Sequence, residues 1–242
     1  MASIGTRLAL ALLLASIAAP AAAMDDAAIY WRVDAMTERR FHDRAPAWEW
    51  KSKAWLGDDY NKLRIENSGV LSDTGKIDKE GGTKGIDSRF FYSRLISDFW
   101  DAKVGVQATV FGPGLVRTAF IAGFEGLASY GFHVDATASI GQSGVAMLRL
   151  EVDYDILFTQ KLIATPFVEA VFASGDDRAI DLGAGLSRFE VGVRLRYEFA
   201  KEFAPYVGVS FEQFTGATAS YVAADNEPTS KVRAMVGLKV WF

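Results

Sequence analysis

Between Arg188 and Phe199 the chain reads RFEVGVRLRYEF. Steps of two separate an apolar face of Phe189, Val191, Val193, Leu195, Tyr197 and Phe199 from Arg188, Glu190, Gly192, Arg194, Arg196 and Glu198. A period of two predicts a β-strand. The same alternation sets Leu148, Leu150, Val152, Tyr154 and Ile156 against Met147, Arg149, Glu151, Asp153 and Asp155, and Trp100, Ala102, Val104, Val106, Ala108 and Val110 against Asp101, Lys103, Gln107 and Thr109. It also closes the chain, where RAMVGLKVWF puts Ala234, Val236, Leu238, Val240 and Phe242 opposite Arg233, Met235, Gly237, Lys239 and Trp241. These runs are roughly twice the 5 to 6 residues usual in a soluble sheet. Tilted strands of about 9 to 11 residues are what crosses a bilayer.

Lipid offers no partner to an unpaired backbone group, so a spanning sheet must close on itself. The alternation places strands near 47–57, 60–68, 87–96, 99–111, 117–127, 130–140, 144–156, 160–173, 186–200, 203–214 and 231–242. AIYWRVDAM supplies one more, with Ile29, Trp31, Val33 and Ala35 against Tyr30, Arg32, Asp34 and Met36. That makes an all-β, transmembrane antiparallel β-barrel of outer-membrane type with about twelve strands, an even number as such barrels require. The count also sorts the connections. GDDY, ISDF, ASY, FTQ and AKE fall on the side of the termini, and the longer GVLSDTGKIDKEGGTKGI, SGDDRAIDLGAG and TGATASYVAADNEPTS fall on the other. Short periplasmic turns and long outer loops are the rule for this architecture. A secreted β-sandwich is the competing reading of the same alternation.

The first residues change the picture of where the chain works. One Arg precedes an apolar run from Leu8 to Ile17, followed by Ala21, Ala22 and Ala23, which reads as a secretory signal peptide over 1–23. Residues 24–242 are then the barrel domain, exported to the outer membrane of a Gram-negative cell and in contact with its lipid. No other apolar run reaches the roughly 18 to 20 residues of a membrane helix. Cysteine is absent, which excludes disulfides and thiolate metal sites. The 26 basic and 30 acidic residues leave a formal charge of −4, and nothing in that balance points to nucleic acid. No serine stands in a nucleophile setting and no G-x-S-x-G is present, so the chain is read as a non-enzyme. His42 is read as a solvated loop residue.

Three stretches in order, YSRLISDFWDAKVGVQ, LRLEVDYDILFTQKLIATPFVEA and GAGLSRFEVGVRLRYEFAKEFAPYVGVSFE, resemble the copper resistance protein B family of outer-membrane proteins. The resemblance runs from about Trp48 to Phe242. It implies a role in copper resistance, binding copper or assisting its removal from the periplasm, with copper ions and periplasmic copper-handling proteins as partners. A general small-solute porin without a metal role is the alternative. Family members usually carry a Met- and His-rich segment between signal peptide and barrel, and here that position reads MDDAAIYWRV. The closing Phe242 is similar to the aromatic residue that outer-membrane assembly reads at the end of a last strand.

Copper(I) prefers thioether and imidazole ligands, which directs attention to Met36, Met235 and His133. Matching residue 28 to 242 at the periplasmic rim sets Met36 opposite Arg233 or Met235, close enough for two thioethers to share one ion; the two methionines equally serve as gap fillers. His133 shares its face with Asp135 and pairs opposite Glu151 or Asp153, as a lumen salt bridge or as part of an oxygen-rich metal site. The remaining lumen charges, Lys103, Arg149, Glu151, Asp153, Arg188, Glu190, Arg194, Arg196, Glu198, Arg233 and Lys239, form either a cross-strand network that plugs the barrel or a ladder for a permeating ion.

Overall fold

A computed structural model describes residues 29–41, 46–72, 77, 82, 85–112, 114–200 and 202–242. The expected leader and His42 lie outside the described residues. The alternating segments form β1 (Tyr30–Phe41), β2 (Ala47–Gly57), β3 (Asn61–Ser72), β4 (Ile86–Ser97), β5 (Trp100–Gly112) and β6 (Leu115–Leu127). They continue as β7 (His133–Gly141), β8 (Ala146–Asp153, resuming at Ile156–Leu157), β9 (Leu162–Ala173), β10 (Gly185–Tyr197), β11 (Phe203–Phe214) and β12 (Ser230–Trp241). Each strand pairs antiparallel with the next and β12 pairs with β1. The sheet is a closed barrel of twelve strands, which satisfies its backbone groups without water.

Side-chain direction follows the alternation. Val104, Val106, Phe120, Val191, Val193, Val207 and Val209 are exposed on the outer wall, whereas Lys103, Arg188, Glu190, Glu212 and Arg233 are buried inside. The exposed apolar band is the lipid-facing surface. At the end where β1 starts and β12 stops, the β2–β3 turn is tied by Asp58, whose carboxylate accepts the backbone N–H groups of Asn61 at 2.5 Å and Tyr60 at 2.8 Å. Those two bonds hold its carboxyl below the usual carboxylate range.

Three local features depart from the sequence reading. The strand expected over 144–156 is interrupted after Asp153, opposite Pro166 of β9, which has no N–H to give the ladder. Tyr154 N–H still reaches the Pro166 carbonyl at 3.2 Å, and pairing resumes at Ile156 with Ala164. The closing register also differs: Val33, rather than residue 28, exchanges backbone hydrogen bonds with Phe242, both at 2.9 Å. Matching chain ends at a rim ignores the stagger that closure imposes on tilted strands.

The third departure lies in the last outer loop, where TGATASYVAADNEPTS contains a helix, α1 (Gly216–Ala224). Its alanines favour a helix, and it buries Thr218 and Val222. Thr218 Oγ1 accepts the N–H of Gly183 from the β9–β10 loop at 2.8 Å. A Cβ at Gly183 would stand 2.4 Å from the Thr218 nitrogen, so the contact requires glycine. The β9–β10 loop then drops Ile180 and Leu182 into the mouth, against Phe111 and Ala173, with Leu115, Val145 and Met147 packed around them. An apolar cap thus sits over one side of the outer end.

The facing of β10 gives a direct test. Val193→Arg places a guanidinium against lipid and should cost about 2–4 kcal/mol if near the midplane, seen as loss of the heat-modifiable folded band. Arg194→Gln should keep that band, because Glu38 retains Arg40 and Tyr206.

Candidate functional site

Inside the outer half of the barrel, charge is packed almost without solvent. Arg40 Nε contacts Glu38 at 2.6 Å and Glu49 at 3.0 Å, and its Nη1 lies 3.2 Å from Glu190. Arg188 Nη1 contacts Glu212 at 2.8 Å and Glu190 at 3.3 Å, and its Nη2 bonds Glu169. Arg233 reaches the second oxygen of Glu212 at 2.9 Å. Beneath this network Phe167, Tyr206 and Met235 form a small apolar shelf, with Met36 against it. Arg194 lies 3.9 Å from the Phe167 ring centroid, and Tyr206 donates its hydroxyl to Glu38 at 2.7 Å.

The register explains where the carboxylates come from. Glu212, Glu190, Glu169, Glu151, Asp135, Glu125 and Asp101 are successive cross-strand partners on neighbouring strands from β11 back to β5. Strands tilt to the barrel axis, so this row winds up the wall from Asp101 at the periplasmic start of β5 to Glu212 near the outer end of β11. Like charges directly opposite one another are destabilising. Besides Arg188, much of the compensation comes from across the lumen. Lys51 of β2 reaches Glu169 at 3.4 Å and Glu151 at 3.6 Å. Lys53 reaches Glu125 and Asp135, both at 3.5 Å, and Arg64 of β3 contacts Glu125 at 2.5 Å and Asp101 at 2.6 Å.

These bridges divide the interior space. On the periplasmic side lies a cavity of about 540 Å³ edged by Asp34, Met36, Lys53, His133, Asp153 and Lys239. A second of about 470 Å³ shares Lys53, Arg64, Glu125, His133, Glu151 and Asp153 with it. On the outer side, among the described residues, a crevice of about 80 Å³ is lined in part by Glu49, Arg149, Phe111 and Leu182. Lys51 and Glu169 border both the crevice and the larger cavity, so their ion pair is the partition between them.

Of the three residues predicted as metal ligands, Met36 packs against the shelf that holds Met235, and His133 stands across the cavity that Met36 edges. Met36 lies opposite Lys51 and Lys239, and Met235 opposite Arg40 and Gly208; the shifted closing register removes the expected direct Met36–Met235 pairing. His133 pairs with Asp153, one of the two partners expected, and with Leu127. Met36 and His133 face one cavity from opposite walls, while Met235 is buried in the shelf. Alternation placed the strand charges inside, but Glu38, Arg40, Glu49, Lys51, Lys53, Arg64, Glu66, Glu125 and Glu169 were missed. Seven of them sit at inward steps of strands that the sequence had already located, and Glu38 and Arg40 lie past Met36, where the first strand was expected to end but runs on to Phe41.

Comparison with known proteins follows the same outline as the barrel. A family model described as copper resistance protein B precursor matches residues 28–242. Copper resistance protein B of Escherichia coli is 34% identical over 200 residues, covering 83% of this chain and 65% of that protein. A copper resistance protein B homolog of Pseudomonas syringae pv. tomato is 36% identical over 193 residues, covering 80% of this chain and 63% of its own length. The chain therefore spans just under two thirds of these relatives. Among solved structures, the NanC porin superposes with a TM-score of 0.54 at 12% identity, covering 86% of this chain and 98% of the porin. The KdgM porin gives 0.50 at the same identity and coverage. Likeness at that identity speaks for the fold alone.

The outer network makes a stability prediction. Arg188→Leu leaves Glu169, Glu190 and Glu212 short of their shared buried cation and should destabilise the barrel by about 3–5 kcal/mol. Lys53→Leu, at a side chain 43% exposed, should cost about 1 kcal/mol or less. Urea unfolding in detergent followed by tryptophan fluorescence measures both.

Proposed function

The chain belongs to the copper resistance protein B family, and from that membership we propose that it serves copper resistance by binding copper or assisting its removal from the periplasm. The observation carrying this reading is the family match over residues 28–242, which takes in the whole barrel. The chain is an outer-membrane barrel, and residues 1–23 act as the leader that exports it. The wide cavities at the periplasmic end suit a ligand arriving from that side, delivered as free copper or by periplasmic copper-handling proteins. The work is binding and passage rather than catalysis. Met36, His133 and Met235 are the thioether and imidazole groups offered to copper(I). A general small-solute porin fits less well, because buried ion pairs around Arg40, Arg188 and Arg233 fill the outer half of the lumen.

A deletion strain decides between the two. Reduced survival in copper with raised periplasmic copper is the expected result. A strain altered only in its uptake of small sugars would transfer the assignment to the porin.

A further inference from the structure

Toward the periplasmic end of the lumen, two carboxylates of the acidic row meet a third from outside it. Glu66 of β3, Glu125 of β6 and Asp135 of β7 come from separate strands, and each can offer an oxygen within 4.8 Å of the others. In sequence they are 59 and 10 positions apart, so only closure of the barrel brings Glu66 to the other two.

Their counter-charges are unequal. Arg64 holds one oxygen of Glu125 at 2.5 Å, and Lys103 holds Asp135 at 2.7 Å from a fully buried position. Arg89 spends its close contact on Asp87, at 2.7 Å, and stands 3.7 Å from Glu66 Oε2. The Oε1 atom of Glu66 accepts no hydrogen bond although the residue is only 7% exposed. A buried carboxylate oxygen left without a donor is costly and calls for an explanation. Lys53, the cross-strand partner of Glu66, bridges Glu125 and Asp135 only at 3.5 Å, and its side chain is 43% exposed to the adjoining cavities.

We propose that Glu66, Glu125 and Asp135 form a divalent-cation site in which the Lys53 ammonium is a tethered, displaceable stand-in for the metal. The exchange is one of charge: a divalent ion enters from the periplasmic cavity, Lys53 swings out into it, and Glu66 Oε1 gains the partner it lacks. Arg64 and Arg89 stay in place on Asp101 and Asp87, Lys51 keeps Glu151 and Lys103 keeps Asp135, so the exchange leaves the surrounding ion pairs intact. Three carboxylates are hard ligands, suited to Mn²⁺ and, by the order of divalent affinities, tightest for Cu²⁺. The site thus takes copper in its divalent form and asks nothing of thioether ligands. It rests on the copper reading only for the identity of the physiological ion.

The test uses the full chain in detergent, titrated with Cu²⁺ by calorimetry and with Mn²⁺ by electron paramagnetic resonance. One ion per chain is expected. Lys53→Leu should tighten binding by about tenfold, since it removes a competing cation a few ångströms from the ligands. The triple variant Glu66→Gln, Glu125→Gln and Asp135→Asn should lose it. Unchanged affinity in Lys53→Leu, or unchanged binding in a triple variant whose folded band persists, overturns the site. A deletion strain sensitive to copper alongside a protein that fails these titrations would sink the site and leave the copper reading. Binding at the triad in a protein whose deletion leaves copper survival unaltered would do the reverse.

Discussion

Ion pairing across the lumen, from bases on β1–β3 to the carboxylates of the opposite wall, is the interaction on which the rest of the structure depends. The register that closes the sheet sets acidic residues side by side on successive strands, and a low-dielectric interior magnifies their repulsion. No rearrangement within the row relieves it, because a one-residue slip would turn every lipid-facing side chain inward. Relief comes partly from Arg188 and Lys103 on the same wall and partly from the far wall, where Arg40, Lys51, Lys53 and Arg64 provide it. The same contacts tie opposite walls together and set the cross-section. Around buried, forked guanidinium groups such as Arg188 the lumen is filled. Beside the longer and more exposed lysine contacts it opens.

Much of the fold could be read from the chain because its physics is local. A strand in lipid must alternate, so twelve segments, their facing and the sorting of loop lengths followed from steps of two. What escaped reading is non-local or turns on a single atom. The break in β8 comes from a proline on the neighbouring strand, and the closing register comes from stagger around the whole circumference. The helix at Gly216–Ala224 is held by a loop more than thirty positions earlier in the chain. Neither neighbour in sequence nor periodicity announces such contacts.

The candidate site divides the same way. That Asp135, Glu151 and Asp153 point inward is a statement about one strand and was legible. That Glu66 meets Asp135, or that Lys51 meets Glu169, depends on which strands face each other across a closed sheet. The methionine pairing failed for that reason: both side chains do point inward, but register, not facing, decides who stands opposite whom. Membership of the copper resistance protein B family rests on sequence over the whole barrel, independently of these contacts, whereas the porin likeness reports only that closed sheets of similar size share a shape.

The glycine contact that seats the β9–β10 loop on α1 has a further consequence. With Ile180 and Leu182 held over one side of the mouth and the roomier cavities at the opposite end, the described part of the barrel widens toward the periplasm like a cup. The contents of a cup equilibrate with whatever bathes its open rim. An ion held there would meet the periplasm first and reach the medium only past that apolar ledge, so the feature bears on which compartment sets its occupancy.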